Sequence, residues 1–475
     1  MAPPPKEENN KTYALINYED PYVQPLIVAA VKKHIPSDKL ESISDWDALP
    51  SKTSPVLQFL QYESINFEHL LQHPTTSLAN AYVIRKALIR KHYLSTTVAN
   101  WVVKYPDSVL ARCVKPSVEF EVDYAEFLDD ALVEAWELKE SWARGDQEED
   151  AQKREWWILK PGMSERGQGI RLFSSEEELT TIFEEWDPES DDEEEADDND
   201  ARSDTGSTSG APALSKQENV DQDEEENEGK GIITSQLRHF IAQPYIHPPL
   251  LLHPPTSTPH SKDTDGLRKF HIRTYVLASG ALQIYVYKPM LALFAAHPYT
   301  PPWSSNLQDA TDEAMKAHLT NTCLQSTGER EGSVGLFWSL PNALPSQPCS
   351  PSAAILQNPH WKDDIFRQIC AATGAVFEAA ARGMSVHFQP LPNAFEIFGL
   401  DFMVGVEADG TLRTWLLEVN AFPDFRQTGE ECKGVVEGLI EEVVGVAVGG
   451  FFGVGGKEDG EEGLIRVLDI DLGRR

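Results

Sequence analysis

Two apolar runs near the C-terminal end, Phe398 to Val406 and Thr411 to Asn420, are broken by single polar residues and read as strands. Asp409-Gly410 lies between them, a dipeptide that favours a two-residue hairpin; a turn there sets Asp401 opposite Glu418. The period of two puts Asn420 on the same face, whereas Leu400, Phe402, Leu417 and Val419 are expected to point into a core. A second ribbon runs from Lys269 to Leu277, with Lys269, His271 and Arg273 on one face and Phe270, Ile272 and Val276 on the other. A turn at Ser279-Gly280 would bring Lys288 opposite His271.

Upstream, Tyr13 to Tyr18 and Pro21 to His34 predict a βα start. Leu78 to Tyr93 reads as a helix with a basic face of Arg85, Lys86, Arg90 and Lys91. Val118 to Asp123 reads as a strand and Tyr124 to Trp142 as a helix. Trp156 to Lys160 is a strand ending in a lysine, followed by the glycine-bearing loop 161–169 and a strand from Ile170 to Phe173. Phe240 to Tyr245, with Gln243, is a further strand, and His318-Leu319-Thr320-Asn321 a loop or strand end. Trp361 to Arg382 has helical spacing with Gly383 as its stop, and so does Gly434 to Ala447. The expected organisation is a tail at 1–10, an N-terminal α/β region at 11–150, a core at 151–425 with an insertion at 185–229, and a C-terminal helix and flexible tail at 426–475.

Composition narrows the class. A chain of 475 residues exceeds the size at which one core keeps growing, so more than one lobe is expected. Its five cysteines are widely spaced and form no CxxC pair, which argues for a reducing compartment, cytosolic or nuclear with a cytoplasmic location expected, and against a zinc ribbon. No apolar run is long enough to span a membrane. The net charge of -35 argues against direct nucleic-acid binding. Between Glu184 and Gly229 there are 20 acidic residues against Arg202 and Lys216, in a stretch poor in aromatics, so a disordered insertion is expected there. It is either a solvating tract or an interaction segment that mimics an acidic substrate.

The candidate chemistry follows from the two ribbons. Carboxylates directly opposite on neighbouring strands lie about 5 Å apart at Cβ and repel unless one is protonated or a cation sits between them. An all-oxygen set of Asp401, Glu418 and Asn420 suits Mg²⁺ or Mn²⁺ better than zinc. The 161–169 loop is neither a Walker A nor a Rossmann loop, yet its glycines allow close approach to phosphates. Lys269, Arg273 and Lys288 would be costly without an anion if their face is half-enclosed; a solvated face is the alternative. Together these parts fit a nucleoside triphosphate with a divalent metal.

Trp157-Ile158-Leu159-Lys160-Pro161, Arg166-Gly167-Gln168-Gly169-Ile170, Arg268-Lys269-Phe270-His271-Ile272-Arg273, His318-Leu319-Thr320-Asn321, Phe398-Gly399-Leu400-Asp401-Phe402 and Trp415-Leu416-Leu417-Glu418-Val419-Asn420 resemble, in this order, the tubulin-tyrosine ligase family. The resemblance spans roughly Leu78 to Asp424. It implies an α/β (α+β) ATP-grasp fold, an N-terminal α/β lobe with two lobes of mostly antiparallel sheet enclosing a nucleotide site. It also implies an ATP-dependent ligase that adds a free amino acid to a protein carboxylate, with tubulin the family's usual acceptor.

On this reading Lys160, Lys86, Arg166, Gly167 and Gly169 reach the phosphates, and Gln243 and the backbone around Tyr245 contact adenine. Lys269, Arg273 and Lys288 bind the γ-phosphate and acyl phosphate; Asp401, Glu418 and Asn420 hold Mg²⁺; His318 and Asn321 shape the acceptor side. His271 stands where most relatives carry an acidic residue, so ribose or acceptor contacts there are open. Two other readings fit the same residues. One is a catalytically weak ATP-binding scaffold in a cytoplasmic, mRNA-processing assembly, as in processing bodies; the other is a ligase for a small molecule.

Overall fold

The computed structural model describes residues 11–162, 169–186, 238–255, 266–304, 312–320, 333–348, 358–428, 432–454 and 462–473. Arg166, Gly167, Asn321 and nearly all of the acidic insertion lie outside them.

The first of three sheets is parallel, in the order β2-β1-β3-β4, from β1 (Thr12–Asn17), β2 (Leu40–Ile43), β3 (Val56–Leu60) and β4 (Ser77–Ala79). Parallel neighbours need a crossover, supplied between β1 and β2 by the helix Gln24–His34. The second sheet is antiparallel, β5-β8-β6-β7, from β5 (Val118–Glu121), β6 (Trp157–Pro161), β7 (Arg171–Phe173) and β8 (His239–Pro244). Trp142, Trp157, Phe173, Phe183, Trp186 and Phe240 fill its core. Because Trp157 and Leu159 are buried there, the alternation turns Ile158 and Lys160 to the other face.

The third sheet is the largest: β9 (Leu251–Leu252), β10 (Arg268–Ser279), β11 (Gln283–Tyr287), β12 (Leu291–Phe294), β13 (Val334–Leu336), β14 (Phe395–Val406), β15 (Leu412–Ala421) and β16 (Leu464–Asp469). Its hub is β10. One edge pairs with β14 over residues 271–279; the other pairs with β12 over 270–273 and with β11 over 276–279. Phe270, Ile272, Leu400, Phe402, Leu416 and Val419 are buried in the same core as Ile365, Ile369, Val376 and Phe377 of the helix Trp361–Gly383. A face so apolar under one helix leaves the alternate residues of β10, β14 and β15 to build a site.

The C-terminal hairpin reaches its expected pairing by an unexpected route. Val406 pairs with Leu412, the Gly410 N–H donates to Glu407 O at 2.9 Å, and Gly410 takes φ 86°, so the turn has three residues rather than two. That turn alone would set Asp401 opposite Leu417. A β-bulge intervenes: Phe402 pairs with Leu416 and Asp401 with Glu418. Leu417 is the extra residue, and it lines a cavity instead of entering the core.

The second ribbon has a longer turn as well. Ser279 pairs with Gln283 and Val276 with Val286, a register that runs Lys288 level with Thr274, not His271. The strand beside Phe270–Arg273 is β12. Leu78 to Tyr93 is not one helix but β4, a loop, the single turn Lys86–Ile89 and the start of the helix Lys91–Lys104. Asn80 explains the break, because its side chain bonds both Leu60 N–H and Leu60 O, at 3.0 and 2.9 Å.

Tyr124 to Trp142 is divided into Leu128–Ala131 and Trp136–Gly145 after a 3-10 turn. Gly383 ends its helix inside it, with Met384 as cap. Leu464–Asp469, expected as flexible tail, forms β16 against β11. Among the described residues no helix is long and apolar enough to cross a membrane.

Phe377 is fully buried, with its ring 5.3 Å from that of Phe398 and 6.1 Å from that of Phe388. Phe377→Ala is expected to cost about 3–5 kcal/mol. Urea unfolding followed by tryptophan fluorescence measures it, and a loss below about 1 kcal/mol would contradict a packed core at this position.

Candidate functional site

Strands of the second and third sheets, with residues that directly follow β1 and β3 of the first, line one cavity of about 730 Å³. Across its floor, register sets three charged residues in a line: Arg273 on β10 pairs with Asp401 on β14, which pairs with Glu418 on β15. Arg273 holds Asp401 with two hydrogen bonds, from Nε to Oδ1 at 2.5 Å and from Nη2 to Oδ2 at 3.0 Å. Burial works against the Arg273 charge, but Asp401 outweighs it and raises the guanidinium above its usual range. Burial pushes the Asp401 carboxyl up despite Arg273, with Glu418 adding to the push. Burial acts on Glu418 too, yet Lys91 and Lys160 hold it down at about 2.

Asn420 stands two residues beyond Glu418, and its Nδ2 lies 3.2 Å from Glu418 Oε1 and 3.4 Å from Asp401 Oδ2. The amide thus occupies the point at which both carboxylates converge. Turned by half a rotation it would present its oxygen there, giving a donor set of two carboxylates and an amide that fits a hard divalent cation. Among the described residues no cluster of three or more His, Cys, Asp or Glu side chains has metal-binding geometry; here the third donor is Asn420.

The cations come from two sheets. Lys160, on β6, donates to Gln243 Oε1 on β8 at 2.9 Å. Lys269, on β10, donates to the Tyr245 hydroxyl at 3.1 Å and lies 4.1 Å from the centre of that ring. Burial lowers Lys160 to about 8, and burial with the nearby Lys160 charge lowers Lys269 to about 7. The Tyr245 hydroxyl also meets His318 Nδ1 at 2.9 Å. His271 Nδ1 meets Thr320 Oγ1 at 2.6 Å, and its Nε2 is 3.6 Å from Asp401 Oδ1. Burial lowers both histidines to about 3, so both are neutral.

The structure thus brings Lys160, Gln243, Tyr245, Lys269, His271, Arg273, His318, Asp401, Glu418 and Asn420 to one cavity. Gly169, with φ 71°, is where the described chain resumes after residues 163–168. Two predicted residues do not join them. Lys86 is exposed on its short helix, and Lys288 lies beyond the paired part of β11, its Nζ 5.8 Å from the Trp338 ring. Lys91 lines the cavity instead, with Nζ 3.9 Å from Glu418 Oε2. Sequence reasoning missed Lys91 as a site residue, although it placed it in the same basic segment; Thr320 was inside a quoted motif without a role.

Arg273 is expected to be structurally costly to remove. Arg273→Met leaves Asp401 buried without its partner and should destabilise the protein by about 3–5 kcal/mol. In a double-mutant cycle read by denaturant unfolding, adding Asp401→Asn should recover much of that loss; strict additivity would contradict the pairing.

A profile of the tubulin-tyrosine ligase family matches residues 97–452. The chain is 39% identical over 441 residues, 92% of its length and 91% of the relative's, to a protein of Schizosaccharomyces pombe described as a probable tubulin–tyrosine ligase. It is 37% identical, over 98% of its length, to the probable tubulin–tyrosine ligase PBY1 of Saccharomyces cerevisiae, of which it spans 56%. Among solved structures it resembles the C-terminal domain of Pby1 from K. lactis, described as an ATP-grasp enzyme interacting with the mRNA decapping enzyme Dcp2. The TM-score is 0.63 and the identity 32%, over 97% of this chain and 99% of that one. The fold is therefore the ATP-grasp fold, and the chain belongs to the tubulin-tyrosine ligase family.

Proposed function

We propose that the chain is an ATP-dependent carboxylate–amine ligase that joins an amino acid to a carboxylate of a protein acceptor. One observation carries the proposal: Lys160, Lys269 and Arg273 share a cavity with the converging Asp401, Glu418 and Asn420. Cations beside an oxygen-donor trio match the needs of phosphoryl transfer, in which positioning and charge neutralisation supply most of the catalysis.

In the proposed reaction an acceptor carboxylate oxygen attacks the γ-phosphorus, the bond to the β,γ-bridging oxygen breaks and ADP leaves. The amino-acid nitrogen then attacks the acyl carbon. A C–N bond forms, the bond to phosphate breaks, and the amine proton is lost to solvent. Lys160 and Lys269 bind the polyphosphate and Arg273 orients Asp401 beside it. Gln243 and the backbone near Tyr245 position the base, and Arg166, Gly167 and Gly169 contribute to phosphate binding. Asp401, Glu418 and Asn420 would hold Mg²⁺ or Mn²⁺, which would supply charge neutralisation for the phosphoryl group. His271, neutral and tied to Thr320, can accept a hydrogen bond from ribose or acceptor. Asn321, three residues after His318 in the chain, is assigned to the acceptor side in this proposal.

Tubulin is the acceptor that the family's name suggests. A second role is favoured by the solved relative, whose description includes interaction with Dcp2. We propose that this chain joins a cytoplasmic mRNA-decapping assembly, and loss of turnover with retained ATP binding would mark it as a scaffold there.

Two measurements check the nucleotide site. Calorimetry of Mg·ATP on the wild type and on Glu418→Gln, in one magnesium buffer, is expected to show at least about tenfold weaker binding in the variant. An undiminished affinity would contradict the metal assignment, and no binding to the wild type would end the ligase reading.

The second concerns protons. Lys269 and Lys160 are lowered to about 7 and about 8 by burial, and a polyanion beside them favours their charged forms. Binding should take up protons between about pH 7 and 9, and affinity should fall as pH rises through that window. Binding heats compared in HEPES and Tris read the uptake; identical heats after correction for dilution would refute it.

A further inference from the structure

The helices packed on the buried face of the second sheet carry an apolar surface of their own. Leu128, Leu132, Ala135 and Leu138 point inward, into the core shared with Phe120, Phe173 and Phe183. Tyr124, Phe127, Val133 and Trp136 point outward and are between 47% and 67% exposed. They are four of the nine exposed large apolar side chains among the described residues, and they fall within thirteen consecutive positions, whereas the other five are spread from Leu71 to Val386. Single surface apolar residues are ordinary; a run of them marks a contact surface. The segment is compact, because Phe127 N–H donates to Tyr124 O, Leu132 N–H to Leu128 O and Ala135 N–H to Leu132 O, each at 3.0 Å. The four side chains therefore share a strip no longer than about 20–25 Å, and the rings of Tyr124 and Phe127 meet edge to face at 6.2 Å.

The polar positions of the same strip are acidic. Glu126, Asp129, Asp130, Glu134 and Glu137 are exposed and make no ion pair among the described residues. From Asp123 to Glu140 there are seven acidic residues against one basic residue, Lys139. Asp123, at one end, holds Arg238 with Oδ1 2.6 Å from its Nε, and Arg238 is where the described chain resumes after the acidic insertion. The insertion thus rejoins the fold at the edge of the strip and adds its own negative charge there. An occupant has to bring positive charge together with apolar side chains. Nucleic acid and an anionic membrane surface have the wrong sign, and a second copy meeting strip to strip would set like charge against like.

We propose that the strip from Tyr124 to Trp136 is a docking surface for a basic segment of a partner protein, with Phe127 and Trp136 as apolar anchors and Glu134 and Glu137 in the ionic rim. Aromatic side chains desolvated at the centre of an interface carry most of its energy, while rim charges steer the approach and select the partner. Docking of this kind does not depend on the ligase reading. Trp157 and Leu159 of β6 face the core beneath the strip, whereas Lys160 faces the cavity from the opposite side of the same sheet. Partner and nucleotide are thereby separated by the thickness of the second sheet, and each can bind without the other.

The test presumes no particular partner. A random library of short peptides displayed on phage is panned against the full chain, with the double variant Phe127→Ser/Trp136→Ser as counter-target. The expected clones prefer the wild type, are rich in Lys and Arg, and carry at least one aromatic or long aliphatic residue. Such a peptide, once synthesised, should bind the wild type at least about tenfold more tightly than the aromatic variant. Glu134→Lys/Glu137→Lys, which keeps the aromatic residues, should weaken the same peptide by a similar factor, and so should raising salt from about 50 to 300 mM. Because the four positions are exposed, both variants should keep the urea midpoint of the wild type. No clone that separates the wild type from the aromatic variant, or separating clones without net positive charge, would overturn the proposal. So would a selected peptide indifferent to Glu134→Lys/Glu137→Lys, or dimerisation of the wild type that the aromatic variant abolishes.

Discussion

The site depends on one line of charge, Arg273–Asp401–Glu418, drawn across three strands by their register. A buried and a half-buried carboxylate facing each other on neighbouring strands are tolerable only with positive charge on both sides, and here Arg273 stands at one end and Lys91 and Lys160 at the other. A slip of one residue in any of these strands would turn the line over into the apolar layer under the helix Trp361–Gly383. Core and site therefore specify the same register. The apolar face makes a slip expensive, and the charged face gives the correct register its use.

As the proposed ligase requires, the cavity is prepared for anions rather than already satisfied by them. Lys160 and Lys269 sit at a titration point set by burial, and their side-chain partners are neutral groups, Gln243 and Tyr245. The histidines are neutral as well, which keeps them as hydrogen-bonding groups. Positive charge can thus be developed when a polyanion enters, without being stored at full desolvation cost beforehand.

How much of this was legible in the chain depends on distance along it. Lys160, Gln243, Lys269, Arg273 and Asn420 could be found because each is a polar interruption in an apolar strand, where a period of two assigns a face locally. The pairing of Asp401 with Glu418 was also anticipated, but through two offsets that cancel: the turn has one residue more than Asp409-Gly410 suggests, and the bulge at Leu417 absorbs it. The longer turn after β10 has no such compensation, and Lys288 falls outside the site. Lys91 was not legible as a site residue. Its placement follows from the Asn80 clamp, a contact with no local signature.

The C-terminal strand also bears on how the molecule comes into being. Its partner β11 ends at Tyr287, whereas β16 begins at Leu464, so one edge of the central sheet is closed only by residues made long after it. At about 5–20 residues per second of synthesis, that edge stays bare for on the order of ten seconds or more. Through that interval the unpaired N–H and C=O groups of an apolar strand, Gln283–Tyr287, are open to any passing strand. The nascent chain is therefore most exposed to misassembly after β11 has been synthesised and before its sheet is closed, a window in which chaperones would matter more than for the folded protein.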